Sequence, residues 1–352
     1  MSDTINKTVK AVALISGGLD SMLAVKVVQE QGIYVEGINF FTGFCVEGHT
    51  HAIRKKHQHK QKRNNALWVA EQLGIKLHII DVIEEYKAVL LNPDHGYGKN
   101  MNPCLDCKQF MVKKAREWMQ QHDFDFMLTG EVVGQRPMSQ RRNTMPLVAQ
   151  ASGQADRLLR PLCAKKLDPT YPELQGWINR DALLDFSGRT RKPQMALAAK
   201  YGFTDYASPA GGCCMLTDES YSRKLVDMWK NRQERDYELD DIMLLKVGRH
   251  IRLGPQLKLI IGREEGENNF LQGYKKQFDA LFCKSHPGPL CLVDGDFSDE
   301  QQMLLAMSVV ARYSQGKDAC RVSMVFEKPG EPSQEYDVQP LPSQEVKSEW
   351  MI

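Results

Sequence analysis

Short runs of consecutive apolar residues alternate, along the first third of the chain, with longer stretches whose apolar residues recur every three or four positions. The runs 11–15, 35–41, 77–82 and 124–129 predict β-strands, and the stretches 21–31, 63–73 and 110–121 predict helices. Strand and helix in alternation predict an α/β fold whose parallel sheet is covered on both faces. Such sheets take their ligands at the carboxyl ends of the strands. The first strand-to-helix turn is therefore the place to look for chemistry.

The pattern loosens over 148–203, which carries Pro161, Pro169, Pro172 and Pro193 and a helical run at 193–200. It reads as a continuation of the first domain, and 221–235 reads as a helix of mixed charge. Composition changes after Asp236, which sets the expected domains at 1–236, 237–328 and a tail at 329–352. Within the second, 246–253 and 257–261 form a hairpin pattern around Gly254 and Pro255. Residues 268–282 read as a helix, 290–293 as a strand, 299–313 as a helix and 321–326 as a strand, together a small α+β domain. The tail is rich in Pro, Ser and Glu and reads as a loosely ordered, flexible end.

Composition narrows this picture. The chain has 352 residues, 42% hydrophobic and 26% charged, enough for a large domain and a smaller one without disulfide support. Lys plus Arg number 46 against 44 Asp plus Glu, so attraction to an anionic polymer has to come from local patches. Neither a secretory leader nor a run of ~18 apolar residues is present in the sequence, which predicts a cytoplasmic protein and no membrane partner. The 9 cysteines are then expected in a reducing compartment, where a patterned pair points to metal or catalysis. One dense basic run holds Lys55, Lys56, Lys60, Lys62 and Arg63, with Arg136, Arg141 and Arg142 further on. It is a candidate for RNA phosphates, against the alternative of a solvated helix face.

The turn itself is Ser16-Gly17-Gly18-Leu19-Asp20-Ser21, between a predicted strand and a predicted helix. Its glycines let the backbone wrap an anion at the helix N-terminus, Ser16 and Ser21 add hydroxyl donors, and Asp20 can hold Mg2+. A serine-capped glycine turn is the plain alternative. The GxxxxGK[ST] pattern of γ-phosphate-transferring loops is missing. A second constellation is Cys104-Leu105-Asp106-Cys107, just ahead of a helix, where the dipole favours the thiolate that binds metal or attacks sulfur. Downstream, Gly211-Gly212-Cys213-Cys214 adds one or two thiols. Three converging thiolates can hold a 4Fe-4S cluster with one iron left open. A zinc site, a cluster-free persulfide relay and ordinary buried thiols are the other readings. Cys45, Cys163, Cys283, Cys291 and Cys320 show no pairing in the sequence and read as core or incidental thiols.

The motifs SGGLDS, HGYGKNMNPCLDC, TGEVVGQRPMSQ and SPAGGCCMLTD, in that order, resemble the PP-loop ATP pyrophosphatases that thiolate tRNA, both 4-thiouridine synthase-like and 2-thiouridylase-like. The resemblance runs from Ala11 to about Asp218. It implies an adenine nucleotide alpha hydrolase-like domain that cleaves ATP to AMP and diphosphate, with Ser16, Gly17, Gly18, Asp20 and Ser21 at the phosphates. It also implies a 4Fe-4S cluster on Cys104, Cys107 and Cys213, or Cys214 in its place. The implied activity is transfer of sulfur to an adenylated uridine of tRNA, with Glu131 and Asp20 as candidates for Mg2+ or proton handling. The implied partners are tRNA and a sulfur donor, either sulfide or a cysteine desulfurase-derived persulfide; a homodimer is one of the assemblies open to it. LKVGRHIRL and LKLIIGREEGEN resemble an NFACT-R-like module, which suggests RNA contact. A PP-loop ligase acting on a small substrate, and an RNA-binding protein with a vestigial nucleotide site, are the competing functions.

Overall fold

A computed structural model describes residues 8–46, 64–206 and 214–352. By packing, the chain forms two compact units, one of residues 1–42 and 63–213 and one of residues 43–62 and 214–352.

The first unit is a five-stranded parallel sheet in the order β3-β2-β1-β4-β5. Its strands are β1 (Lys10–Leu14), β2 (Tyr34–Phe41), β3 (Leu77–Asp81), β4 (Phe126–Leu128) and β5 (Leu158–Leu159). Its helices are α1 (Leu19–Gln29), α2 (Asn65–Leu73), α3 (Ile83–Leu91), α4 (Cys104–Gln121), α5 (Met145–Gln150), α6 (Tyr171–Leu174) and α7 (Lys192–Lys200). Strand alternation explains the layering. Ala11 and Ala13 of β1 pack with Met22, Leu23 and Val27 of α1 and Ala198 of α7, whereas Val12 packs with Val112, Ala115 and Met119 of α4. Both faces are covered, so the strands read as continuous apolar runs. Local signals set the ends of α2: the Asn64 side chain accepts from the amides of Ala66 and Leu67, and Gly74 closes the helix at φ 63°.

The second unit is a six-stranded antiparallel sheet in the order β11-β10-β8-β9-β7-β6. These are β6 (Arg249–Gly254), β7 (Leu257–Ile261), β8 (Asp279–Cys283), β9 (Leu290–Gly295), β10 (Val322–Glu327) and β11 (Gln334–Val338), with α8 (Glu219–Arg232), α9 (Leu239–Leu244), α10 (Glu265–Gln272) and α11 (Glu300–Arg312). Leu257, Leu259 and Ile261 pack with α11, and Ile260 packs on the opposite face with Leu271 of α10.

Three expectations change. Packing divides the chain at 213/214, ahead of the composition change after Asp236, because α8 is bound to the C-terminal elements. Lys224 donates to the carbonyls of Leu245 and Gly248, and Asp227 pairs with Arg252 at 2.6 Å. The helix expected over 268–282 is α10 followed by a turn and then β8. The flexible tail expected from residue 329 instead carries edge strand β11, paired with β10 from Val322↔Val338 to Phe326↔Gln334. It runs on past α11, where Leu341 donates its amide to Ser308, and Met351 then bridges Ile251 of β6. Val338, Leu341 and Trp350 anchor it in the core, which composition alone concealed.

Candidate active site

Between β1 and α1 the chain turns through Gly17 at φ 75°, a left-handed conformation natural to glycine, and Gly18 takes the N-cap position of α1. The first turn of α1 therefore starts from a glycine backbone, with the Ser16 hydroxyl beside Gly18, and its leading amides have the placement that receives phosphate. Ser21 Oγ donates to the Gly18 carbonyl at 2.8 Å. The end of β4 closes against the same turn. A Cβ at Gly130 would overlap the backbone of Asp20 and Ser21, so only glycine fits there.

Asp20 is the charged centre of the loop. Its Oδ2 accepts from Gln135 Nε2 at 2.7 Å and from Arg191 Nη1 at 2.9 Å, and Gln135 Oε1 in turn accepts from Gln194 Nε2 at 2.8 Å. Oδ1 is buried and has no hydrogen-bond partner among the described residues. An orphaned carboxylate oxygen beside a phosphate loop is a suitable ligand for a hard cation such as Mg2+, so the residues present fit that ion. Arg191, Gln135 and Gln194 were not singled out from the sequence. Two signals were available: Gln135 lies within the motif TGEVVGQRPMSQ, and Arg191 within the basic run Arg189-Thr190-Arg191-Lys192 ahead of a helix.

Glu131 is only 3% exposed, and its Oε2 accepts from Arg160 Nε at 3.0 Å and from Thr129 Oγ1 at 3.3 Å. Lys108 lies 4.0 Å from Oε1. Burial pushes this carboxyl up, but the charges of Arg160 and Lys108 outweigh it and hold the group below its usual 4.5. Behind it, Cys163 donates to the Glu131 carbonyl at 3.2 Å, and burial pushes its thiol up to about 11.

Cys104 and Cys107 stand on the first turn of α4, three residues apart and so on one side of the helix. Cys104 Sγ lies 3.8 Å from Ser139 Oγ, and the Cys107 amide donates to the Pro103 carbonyl at 2.8 Å. Between them Asp106 is buried and holds His95, whose Nδ1 is 2.9 Å away. Cys214 belongs to the second unit. Cys213 and the basic run Lys55, Lys56, Lys60, Lys62 and Arg63 lie outside the described residues. Arg136 is half-buried, and Arg141 and Arg142 are exposed. Among the described residues no group of three His, Cys, Asp or Glu side chains is gathered for a metal ion, so these residues do not by themselves make up a cluster's ligand set. No helix among them is long and apolar enough to cross a membrane.

Residues 9–158 match the family model of the tRNA methyl transferase HUP domain, and residues 248–351 match that of the NFACT protein RNA binding domain. A tRNA-specific 2-thiouridylase of Geotalea uraniireducens is 23% identical over 340 residues, covering 92% of this chain and 80% of the relative. Another from Campylobacter curvus is 28% identical over 132 residues, 35% of each chain, so the match spans about a third of that relative's length. The solved NMN synthetase of Francisella tularensis is 12% identical, covering 58% of this chain and 91% of that one, at a TM-score of 0.27 that carries no argument.

Proposed function

We propose that this chain, which joins a PP-loop HUP domain to an NFACT-type RNA-binding module, is a tRNA sulfurtransferase that thiolates uridine at the expense of ATP, in the cytoplasm. The observation that carries the reading is the joint presence, in one compact unit, of a phosphate loop centred on Asp20 and a pair of thiols, Cys104 and Cys107, on the first turn of α4.

In this reading the uridine carbonyl oxygen attacks the α-phosphorus of ATP, the bond to the β-phosphate breaks, and diphosphate leaves into the amides of α1. Ser16, Gly17, Gly18 and Ser21 receive it. Mg2+, when bound at Asp20, neutralises phosphate charge. Adenylation turns a poor leaving oxygen into AMP. A persulfide on Cys104 or Cys107 then supplies the sulfur: its terminal sulfur bonds to the ring carbon as the C–O bond to AMP breaks. The other thiolate attacks the inner sulfur, leaving a thiocarbonyl and a protein disulfide that an external thiol reduces. A desulfurase-derived persulfide, which already holds sulfane sulfur, is the donor to this thiol pair, whereas sulfide, being fully reduced, serves only a carrier that binds it directly. The rival carrier is a 4Fe-4S cluster on Cys104, Cys107 and Cys213, or on Cys214 in place of the last. Iron and acid-labile sulfide analysis of anaerobically purified protein separates the two.

The test of the whole reading is release of AMP and diphosphate with and without tRNA. Release that requires tRNA, and thiolated uridine in the digested RNA, are the expected results. Release without tRNA replaces the reading with a PP-loop ligase, and no release in either case leaves an RNA-binding protein with a vestigial site.

A further inference from the structure

Of the seven thiols that the sequence left outside the Cys104–Cys107 pair, two meet in the second unit. Cys45 and Cys214 face each other as an isolated antiparallel bridge, joining residues that are far apart in sequence but lie in the same compact unit. The hydrogen bonding defines which kind of bridge it is. The Met215 amide donates to the Phe44 carbonyl at 2.9 Å, so the bond runs between the residue after Cys214 and the residue before Cys45. Cys45 and Cys214 are therefore a non-hydrogen-bonded pair, the register in which Cα atoms approach to about 4.5 Å and the side chains are closest. That spacing lies inside the window in which two cysteines can be joined without backbone movement, about 4.4–6.8 Å between Cα atoms.

The surroundings hold this register firmly. Phe44 is fully buried, with its ring 6.2 Å from Tyr221 and 5.3 Å from Tyr237. Lys246 reaches back to the Gly43 carbonyl, which brings a buried ammonium to the segment that carries Cys45. Both cysteines are nonetheless partly exposed, so a small sulfur compound can reach them.

We propose that Cys45 and Cys214 are a sulfur-discharging thiol pair: Cys214 takes up a sulfane sulfur as a persulfide, and Cys45 resolves it to hydrosulfide and a Cys45–Cys214 disulfide. The step balances. The Cys45 thiolate bonds to the Cys214 sulfur, the Cys214 S–S bond to the outer sulfur breaks, and that sulfur leaves as hydrosulfide with the electron pair. In this step the Cys45 sulfur is oxidised and the outer sulfur is reduced, while the Cys214 sulfur keeps its oxidation level. A low-molecular-weight thiol reopens the disulfide. The proposal rests on the sulfur-transfer reading above and adds a second fate for sulfane sulfur, since the hydrosulfide released is fully reduced and does not itself load a persulfide on Cys104 or Cys107. It gives Cys214 work of its own, apart from Cys104 and Cys107.

The experiment uses the full chain with glutathione persulfide as the probe, without ATP or tRNA, followed by alkylation, peptide mapping by mass spectrometry and sulfide measurement. In the unaltered protein the expected result is a Cys45–Cys214 cross-linked peptide forming in step with sulfide release. Cys45→Ser should lose the cross-link and retain a persulfide on the Cys214 peptide, while Cys214→Ser should lose both. Cys213→Ser and Cys104→Ser should keep the cross-link. Sulfide release unchanged in Cys214→Ser or in Cys45→Ser, or a wild-type protein that forms no such cross-link, would each overturn the proposal. The tRNA-dependent release of AMP, measured separately on Cys45→Ser, reports on the parent reading; its absence there and in the unaltered protein sinks that reading without touching the cross-link result.

Discussion

Asp20 is held by two side chains that lie 115 and 171 positions away in sequence. Asp20→Ala removes the loop's carboxylate and leaves Gln135 and Arg191 without it, so AMP formation should fall to background while the far-UV spectrum is kept. AMP formation at the wild-type rate would refute the assignment of the loop. Glu131 tells a different story. Breaking a buried ion pair from one side costs about 3–5 kcal/mol, so Glu131→Ala should lower stability in urea by that order, even without ATP. Its lowered carboxyl fixes the sign of the pH dependence. The stabilisation is complete above the usual 4.5 and is lost as pH falls through the lower folded value, so the variant should lose less stability on acidification than the parent. The loop was legible because six consecutive residues spell it out. Arg191, Gln135, Gln194 and Arg160 were not, because no local pattern marks a side chain whose partner is distant in sequence.

Elements were legible where one periodicity ruled. Four of the five strands of the first unit fall within two residues of their expected places, since a fully covered parallel sheet writes itself as apolar runs, and only the two-residue β5 was too short to read. The stretch 268–282 misled because Phe270, Tyr274 and Phe278 repeat every four residues and lie tilted against one another with ring centroids 5.5 and 6.5 Å apart, although the chain has left α10 by Tyr274. Beyond them Ala280 and Leu281 are buried on opposite faces of β8. The contact between β4 and the start of α1 belongs to this scale too. Gly130→Ala places a methyl group against the backbone of Asp20 and Ser21, and strain of this kind costs about 1–3 kcal/mol. ATP affinity, measured by calorimetry, should drop more than the melting temperature does; an unchanged affinity would mean that the loop simply moves aside. In α8, burial pulls the Lys224 ammonium down to about 8, with Arg263 acting in the same direction. The charged form is thus penalised in the folded state below about 8, and the penalty is relieved as pH rises from there toward 10.5. Lys224→Met should flatten that rise in urea titrations at pH 7.5 and 9.5, and an identical slope would assign the rise to other groups.

At the scale of the molecule, the two-unit organisation was readable from the change of pattern, but the assignment of α8 and of residues 43–46 to the second unit was not. Tertiary contacts such as Phe44 against Tyr221 decide that, and they leave no trace in local composition. The basic run was readable only as charge. Neutralising Lys55, Lys56, Lys60, Lys62 and Arg63 together should weaken tRNA binding and flatten its dependence on salt, by a slope of roughly 0.7–0.9 for each phosphate that is no longer neutralised. Titrations at several salt concentrations check this, and an unaltered slope would make the run a solvated face. The path of residues 339–352 has a consequence for the order of assembly. The β6–β7 pair closes through a two-residue turn, whereas Met351 reaches Ile251 only after a loop of about a hundred residues has been closed, which is slow to find and rests on a single bridge. That clasp should therefore be the last to form during refolding and the first released, so the Ile352 amide, which donates to the His250 carbonyl, should exchange its proton long before those of β7 do.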